Sequence, residues 1–481
     1  MTTECNQNSL LFHPVQGREI RCEFDGGAIT SDGGGLLLRE VEEQAGIIHQ
    51  FAACFHDYRD AKLVEHTVEE LVAQRVYGLA LGYEDMNDHD ELRRDPLLAV
   101  LVDKKDLLGE ERRRASDKGV ALAGKSTLNR LELGGEKWEA EKKERYKKIV
   151  IDEAGVDKVV VDLFLQAHRE PPAEIVLDVD ATDIPLYGEQ EERFFHGYYG
   201  HYCYLPLYIV CGEHVLCARL RPSNQDGATG CVTELERIIA QIREAWPQVR
   251  IIVRGDSGFC REELLKWCEE HSLDYVIGLA QNSRLLKEIA AASVQAAAQY
   301  AATQKAARVF MEFSYQTKKS WSRARRVIAK AEHLEKGANP RFVVTSLSAQ
   351  EASYPSPSRW TPQALYEQFY CARGDMENRI KEQMMLFADR TSTAWLHSNQ
   401  IRLYFSTIAY QLMQTLRRLG LAGTELAKAQ CNTVRLKLLK VGALIRVTVR
   451  KVWVSLSAGF PHADLFRQVQ RHLQQARLQR C

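Results

Sequence analysis

Between residues 173 and 280 the hydrophobic rhythm switches repeatedly between strand and helix. "AEIVLDVDATDIPL" (173–186) is a strand that ends in acids. "CYLPLYIVCGEHVLCARLRPS" (203–223) reads as two strands joined by a turn near Gly212 and Glu213. "CVTELERIIAQIREAW" (231–246) has amphipathic helical spacing, and "VRIIVRGD" (249–256) is again a strand. "CREELLKWCEEH" (260–271) is a helix with acids in its first turn, where the helix dipole favours them, and "DYVIGLA" (274–280) is a strand. The order is β-β-β-α-β-α-β, an α/β pattern.

The flanks read differently. Residues 1 to about 170 are mostly helical after a short extended start, "EIRCEFDGGAITSDGGG", with helical spacing in "LLLREVEEQAGI" and "TVEELVAQRVYGLALGY". The charged run 137–149 reads as a solvated helix face. Residues 281–300 are helical. "RVFMEFSYQ", "SRARRVIAKAE" and "PRFVVTSLS" then form a β-rich stretch, closed by the linker "YPSPSRWTP". A long helical pattern covers 363–390 and another covers 401–420. "VRLKLLKVGALIRVTVRKVWVSLS" (434–457) looks like a basic β stretch, and a basic helix ends the chain.

Composition narrows the class. The chain has 481 residues, 45% hydrophobic and 27% charged, with equal numbers of acids and bases, so it can bury a sizeable core. Charge is uneven, however: from Cys431 onward there are ten Lys/Arg and one acid, Asp464, a balance that suits a phosphate-bearing partner. Twelve cysteines occur without a CxxC pair, no secretory leader opens the sequence, and no apolar run reaches the roughly 18 residues of a membrane span. A reducing, cytoplasmic setting is expected. His196, His201 and Cys203 in "HGYYGHYCY" do not have a zinc spacing and read as an aromatic strand entry.

Several motifs bear on chemistry. "GVALAGKS" (119–126) matches a phosphate-binding loop letter for letter, but no strand precedes it. "GKSTLNRLE" instead reads as a short helix capped by Ser126 and Thr127, displaying Asn129 and Arg130 either to DNA or simply to solvent. Asp180 and Asp256 each end a strand, where α/β sheets place their chemistry, although Asp256 could equally cap the next helix. If those strands are neighbours, the carboxylates converge, and convergent carboxylates call for a cation. In "YCARGDMENRIK", Tyr370, Arg373, Glu377 and Lys381 lie at offsets 0, 3, 7 and 11, on one helix face. A surface ladder of ion pairs would explain the charges but not their alignment with a tyrosine.

"DVDATD" (178–183), "VRGDSGF" (253–259) and "YCARGDMEN" (370–378) together resemble the three motifs of DDE transposases of bacterial insertion sequences. The likeness runs from "FDGGAITSDGGGLLLREV" to the basic tail and is nearest the branch known as insertion-sequence family thirteen-eighty. It implies a ribonuclease H-like core (β-β-β-α-β-α-β-α) with a β-rich insertion, a helical N-terminal region and a basic α+β C-terminal region. It implies Asp180, Asp256 and Glu377 as catalytic, metal-holding acids, with Asp178 and Asp183 competing for the first position. Tyr370 and Arg373 match the third motif and Lys381 stands in for its lysine, whose own position is Met384; all three would contact DNA phosphates. Two Mg²⁺ ions roughly 3.5–4 Å apart, replaceable by Mn²⁺, would serve an in-line phosphoryl transfer without a protein nucleophile. Trp321 in the insertion is a candidate for stacking on an exposed base.

The resemblance also implies partners and boundaries. The partners are double-stranded DNA, as terminal inverted repeats and as target, and a second copy in a synaptic homodimer beside the bacterial nucleoid, with no membrane. The expected divisions are 1–170 (helical, DNA binding), 171–300 (first part of the core), 301–358 (β insertion), 359–392 (the glutamate-bearing helix) and 393–481 (basic, for DNA binding or dimerisation). A DNA-binding copy without cleavage activity and a nuclease that cuts without joining are the rival functions.

Overall fold

The computed structural model describes residues 9–133, 148–348 and 359–479. The charged run 137–149 lies largely outside them, as does most of the 354–362 linker. The chain forms two compact units, one from residues 1–53, 57–131 and 415–481, the other from 54–56 and 132–414.

The larger unit is built on a nine-stranded mixed sheet. Its strands are β1 (Glu174–Ala181), β2 (Leu207–Cys211), β3 (His214–Arg219), β4 (Arg250–Gly255), β5 (Asp274–Leu279), β6 (Ala307–Tyr315), β7 (Arg325–Leu334) and β8 (Arg341–Thr345), plus the two-residue strand Gly337–Ala338 against β7. The spatial order is β3-β2-β1-β4-β5-β8-β7-β6. The β1–β4 and β4–β5 pairs are parallel and the others antiparallel. The β-rich stretch after residue 300 thus extends the sheet at its β5 edge.

Both sheet faces are covered, which explains the nearly unbroken apolar runs of β4 and β5. On one face Leu177, Val179, Ile251, Val253 and Ile277 pack against helices α1 (Cys231–Ala245) and α2 (Glu262–Glu270). On the other, Ile252, Val276, Ile328 and Val343 pack against Trp360, Leu365 and Tyr366. The second face is the one that carries the acids, because side chains alternate along a strand: Asp178 and Asp180 on β1, Arg254 on β4 and Asp256 just beyond it.

The smaller unit interleaves the two ends of the chain. Strand Ala443–Val447 pairs on one side with Val452–Leu456 and on the other with Ala28–Thr30. The Gly-rich "SDGGG" is the docking point: Gly33 N donates to Val441 O at 2.8 Å, Gly34 N to Leu439 O at 3.0 Å, and Asp32 pairs with Lys440 at 2.6 Å. A Cβ on Gly34 would come within 2.2 Å of Leu438 O, so only glycine permits this approach. The 434–457 stretch, expected to be all β, is helical over Cys431–Leu439 before the two strands. Its alternating Arg-Leu-Lys-Leu misleads because Arg435 is itself buried, giving Nε to Ala80 O at 2.9 Å and Nη2 to Leu79 O at 3.3 Å, at the carboxyl end of helix Val68–Leu81.

The phosphate-loop match has no phosphate-loop scaffold. A short 3₁₀ turn, Ala115–Asp117, precedes it, and Lys125 opens helix Lys125–Glu132 with Nζ on Asn87 Oδ1 at 2.8 Å. Ser126 and Thr127 fall inside the first turn and do not cap it. Among the described residues no helix is long and apolar enough to cross a membrane.

Gly34→Ala should lower the unfolding free energy by about 1–3 kcal/mol or more, because the obstruction is backbone and cannot rotate away. Urea unfolding measures this, and an unchanged midpoint would show that the two ends of the chain do not meet at Gly34.

Candidate functional site

The β1–β4 register decides where the acids fall. Arg254 is opposite Asp178 and Gly255 opposite Val179, so residue 256 follows on beside Asp180. Gly255 allows the two strands to close there, since a Cβ would lie 2.8 Å from Val179 Cγ2. Asp256 also serves as a cap: its Oδ1 accepts from Gly258 N at 2.8 Å and ends the strand in a 3₁₀ turn, Ser257–Phe259. Its Oδ2 accepts no hydrogen bond among the described residues.

The third acid arrives on a helix that is not uniform. Pro362–Ala364 leads into a π-helical turn, Leu365–Tyr370, then a 3₁₀ turn, Cys371–Arg373, then α3 (Gly374–Met384). π turns insert a residue into the helical ladder and re-aim the side chains that follow. Here Arg373 is turned onto the sheet. Its Nη1 meets Asp180 Oδ2 at 3.2 Å and its Nη2 meets Glu377 Oε1 at 3.3 Å, so one guanidinium bridges the first and third acids. Burial pushes the Asp180 carboxyl up to about 6, the negative charges of Asp256 and Glu377 push the same way, and Arg373 opposes them.

Tyr370 lies against the backbone beside Asp256. A Cβ on Gly278, at the end of β5, would come within 2.5 Å of Tyr370 Oη and 2.8 Å of Ser257 N, so Gly278 is what lets the tyrosine and the Asp256 turn approach each other. Burial raises the Tyr370 phenol. Lys381 is exposed and, among the described residues, forms no ion pair with Glu377. The four-residue alignment on one helix face therefore contributes Tyr370, Arg373 and Glu377 to the cluster and leaves Lys381 outside it.

The competing aspartates are otherwise engaged. Asp178 is buried in a bidentate pair with Arg254, at 2.5 and 2.7 Å, and Arg254 also donates to Phe369 O. Asp183 holds His201 Nε2 at 2.7 Å. Cys203 is buried, opposite Phe194 across a small sheet. Trp321 is also buried, 6% exposed, edge-on to Tyr315 and beneath Arg325, so it is core and offers no stacking face. Sequence reading missed Arg254 and Gly278. The Arg-Gly-Asp triplet was the available signal for the first; Gly278 looks like any strand glycine.

The donor set suits a hard divalent cation in kind, being all carboxylate oxygen. As the side chains stand, Arg373 supplies the positive charge. Among the described residues no three His, Cys, Asp or Glu side chains are gathered closely enough to hold an ion.

The family model described as transposase DDE domain group 1 matches residues 12–478. No curated protein matches the chain. Among solved structures, a cryo-EM structure of the piggyBac transposase synaptic complex with hairpin DNA is similar over 85% of this chain and 80% of that one, at 12% identity and a TM-score of 0.39.

Asp178→Ala strands Arg254 in the interior and should cost about 3–5 kcal/mol in urea unfolding; a cost near zero would show that the pair is not buried. Asp180→Asn should behave oppositely. A folded carboxyl at about 6 against an ordinary 3.8 gives stability that is complete below 3.8 and lost as pH rises through 6. With chelator present, the amide variant should therefore match or exceed the parent above pH 6 and lack that loss. A marked destabilisation there would mean that the Arg373 contact outweighs the cost of burying the charged carboxylate.

Proposed function

The chain belongs to the transposase DDE domain group 1 family and is a DNA transposase, and we propose that it mobilises a bacterial insertion sequence of the thirteen-eighty branch. On this reading it binds the terminal inverted repeats as a homodimer, cuts at the element's ends and joins them to target DNA. Asp180, Asp256 and Glu377 are its catalytic carboxylates on a ribonuclease H-like core. The observation that carries the reading is the Arg373 guanidinium bridging Asp180 and Glu377, with Asp256 following the strand end beside Asp180 in the β1–β4 pair.

Asp180, Asp256 and Glu377 would hold Mg²⁺ or Mn²⁺, as a pair of ions, and metal bound there supplies positive charge to the attacking and leaving oxygens of an in-line displacement. The chain's own residues do the positioning. Arg373 already stands at the carboxylates, so its planar guanidinium meets a phosphate brought to them. Tyr370, held against Gly278, fixes the approach of the helix and with it the height of Glu377 over the strand ends. Lys381, exposed one turn beyond Glu377, is free to take a backbone phosphate of the same strand. Hydrolysis breaks a P–O3′ bond with water as nucleophile. In joining, the freed 3′-hydroxyl attacks a target phosphate and displaces the target strand's own 3′-oxygen, so the same three acids serve both steps.

The basic C-terminal stretch carries a second DNA contact on this reading. Arg446, Arg450 and Lys451 are exposed on the hairpin Ala443–Leu456, two of them over the Trp453 ring at 5.7 and 5.5 Å.

Asp180→Asn, Asp256→Asn and Glu377→Gln should each abolish Mg²⁺-dependent breaks in a supercoiled plasmid carrying the gene and its flanking DNA, while retaining DNA binding. Full cleavage by any one variant removes that residue from the site. Recovery of joined products, beyond breaks alone, separates a transposase from a nuclease. Replacing Arg446, Arg450 and Lys451 with Glu in the full chain should reduce the slope of log K against log salt by about one per lost contact. An unchanged slope rejects phosphate contact by that hairpin.

A further inference from the structure

Immediately after Asp180 the chain builds a small aromatic sheet that the proposed chemistry does not use. Strand Ile184–Pro185 pairs with His201–Tyr204, which pairs with Phe194–His196. Its exposed rings are unusually dense. Tyr198 at the turn is 87% exposed, Phe195 is 58% and Tyr202 is 44%. Phe195 and Tyr202 sit directly opposite each other, with ring centroids 5.7 Å apart at 78°, and Arg193 lies 4.5 Å over the Tyr202 ring. Leaving such rings in water forgoes the burial that normally drives aromatics inward, so three of them exposed on one short sheet and its turn mark a surface that something covers.

The position of this sheet narrows the occupant. Its other face meets the chain three residues beyond Asp180, where His201 holds Asp183, and Tyr199 packs on His196 at 4.8 Å and on Tyr198 at 5.1 Å. Burial and the charges of Asp183 and Asp180 push the Tyr199 phenol up to about 12, so this ring is close enough to Asp180 to feel its charge. The surface is also unsuited to phosphates. Arg193 is paired with Glu189 at 2.9 Å, and Glu191 and Glu192 follow in the same loop. A group that is flat, apolar on its faces, uncharged and attached to a phosphodiester fits the requirement, and an unpaired nucleobase is such a group.

We propose that Phe195, Tyr198 and Tyr202 form a stacking platform for unpaired bases of the DNA strand lying across Asp180, Asp256 and Glu377. The proposal rests on the transposase reading of that site. The platform takes the role that the buried Trp321 cannot fill. Stacking tolerates any base sequence because every base has a π face, so the platform would recognise strand separation at the cut and leave sequence recognition to other parts of the protein.

The test uses the full chain in EDTA, so that nothing is cut, and two oligonucleotides containing 2-aminopurine. One carries it in the unpaired loop of a hairpin-ended duplex, the other within a fully paired duplex. The parent protein should bind the unpaired form more tightly and change its 2-aminopurine emission. Phe195→Leu/Tyr198→Leu/Tyr202→Leu, all at exposed positions, should weaken binding of the unpaired form by about tenfold and lose the emission change. Its affinity for the paired duplex should be unchanged. Tyr198→Phe, which keeps the ring, should behave like the parent. An unchanged emission signal in the triple variant overturns the platform, as does an equal loss on both DNAs. Conversion of a dimeric parent to a monomeric triple variant in sedimentation would assign the surface to a second copy and overturn it too. If the parent binds the paired duplex but shows no preference for the unpaired form, the platform alone fails. If it binds neither, the transposase reading of the site fails with it.

Discussion

The parallel pairing of Glu174–Ala181 with Arg250–Gly255 is the constraint on which the carboxylate cluster depends. The two strands lie far apart in the chain, and their register could slip without changing how apolar either one is. The buried Asp178–Arg254 pair resists such a slip, because any other register would leave two charges in the interior without partners. Gly255 then lets the strand ends close on Val179, and Asp180 and Asp256 come out side by side. The ion pair next to the site thus has a positional role as well as an energetic one.

Closeness of like charges has a cost, and Arg373 offsets part of it. Burial raises the Asp180 carboxyl to about 6, the charges of Asp256 and Glu377 add to the rise, and the guanidinium spread between Asp180 and Glu377 draws it back. A regular helix through 362–384 would not aim Arg373, Tyr370 and Glu377 in the same way. The π and 3₁₀ turns before Gly374 set the rotation, and the bare Gly278 backbone receives the tyrosine. The cluster is therefore held by three unrelated devices: a strand register, an irregular helix and a glycine contact.

The basic end of the chain is less uniform than its charge suggests. Arg435 is consumed by the carbonyls of Leu79 and Ala80, and Lys440 by Asp32, so both belong to the packing of the smaller unit. The cations exposed to a polyanion are Arg446, Arg450 and Lys451 on the hairpin, with Lys437 before it and Arg467, Arg471 and Arg477 on the last helix. The count of ten Lys/Arg after Cys431 overstates the binding surface because charge tallies do not distinguish a buried arginine from an exposed one.

Much of the catalytic region is legible in the order of its residues. The β-β-β-α-β-α-β succession, the acids at two strand ends and the tyrosine, arginine and glutamate on one helix all follow from periodicity and spacing, because side-chain alternation in strands and helical repeat are local properties. Adjacency is not local. Nothing in "LDVDATD" tells which of Asp178, Asp180 and Asp183 meets the glutamate-bearing helix, since that is set by Arg254, Arg373 and His201 arriving from elsewhere in the chain. Trp321 and the aromatics of 194–202 are equally hydrophobic on paper, yet one is core and the others are surface, because burial depends on which elements pack over them. Local pattern thus specifies the kinds of residue and the rhythm of the elements. Which charges meet and which rings face water follow from the folded arrangement, because those outcomes depend on contacts between segments that local pattern does not encode.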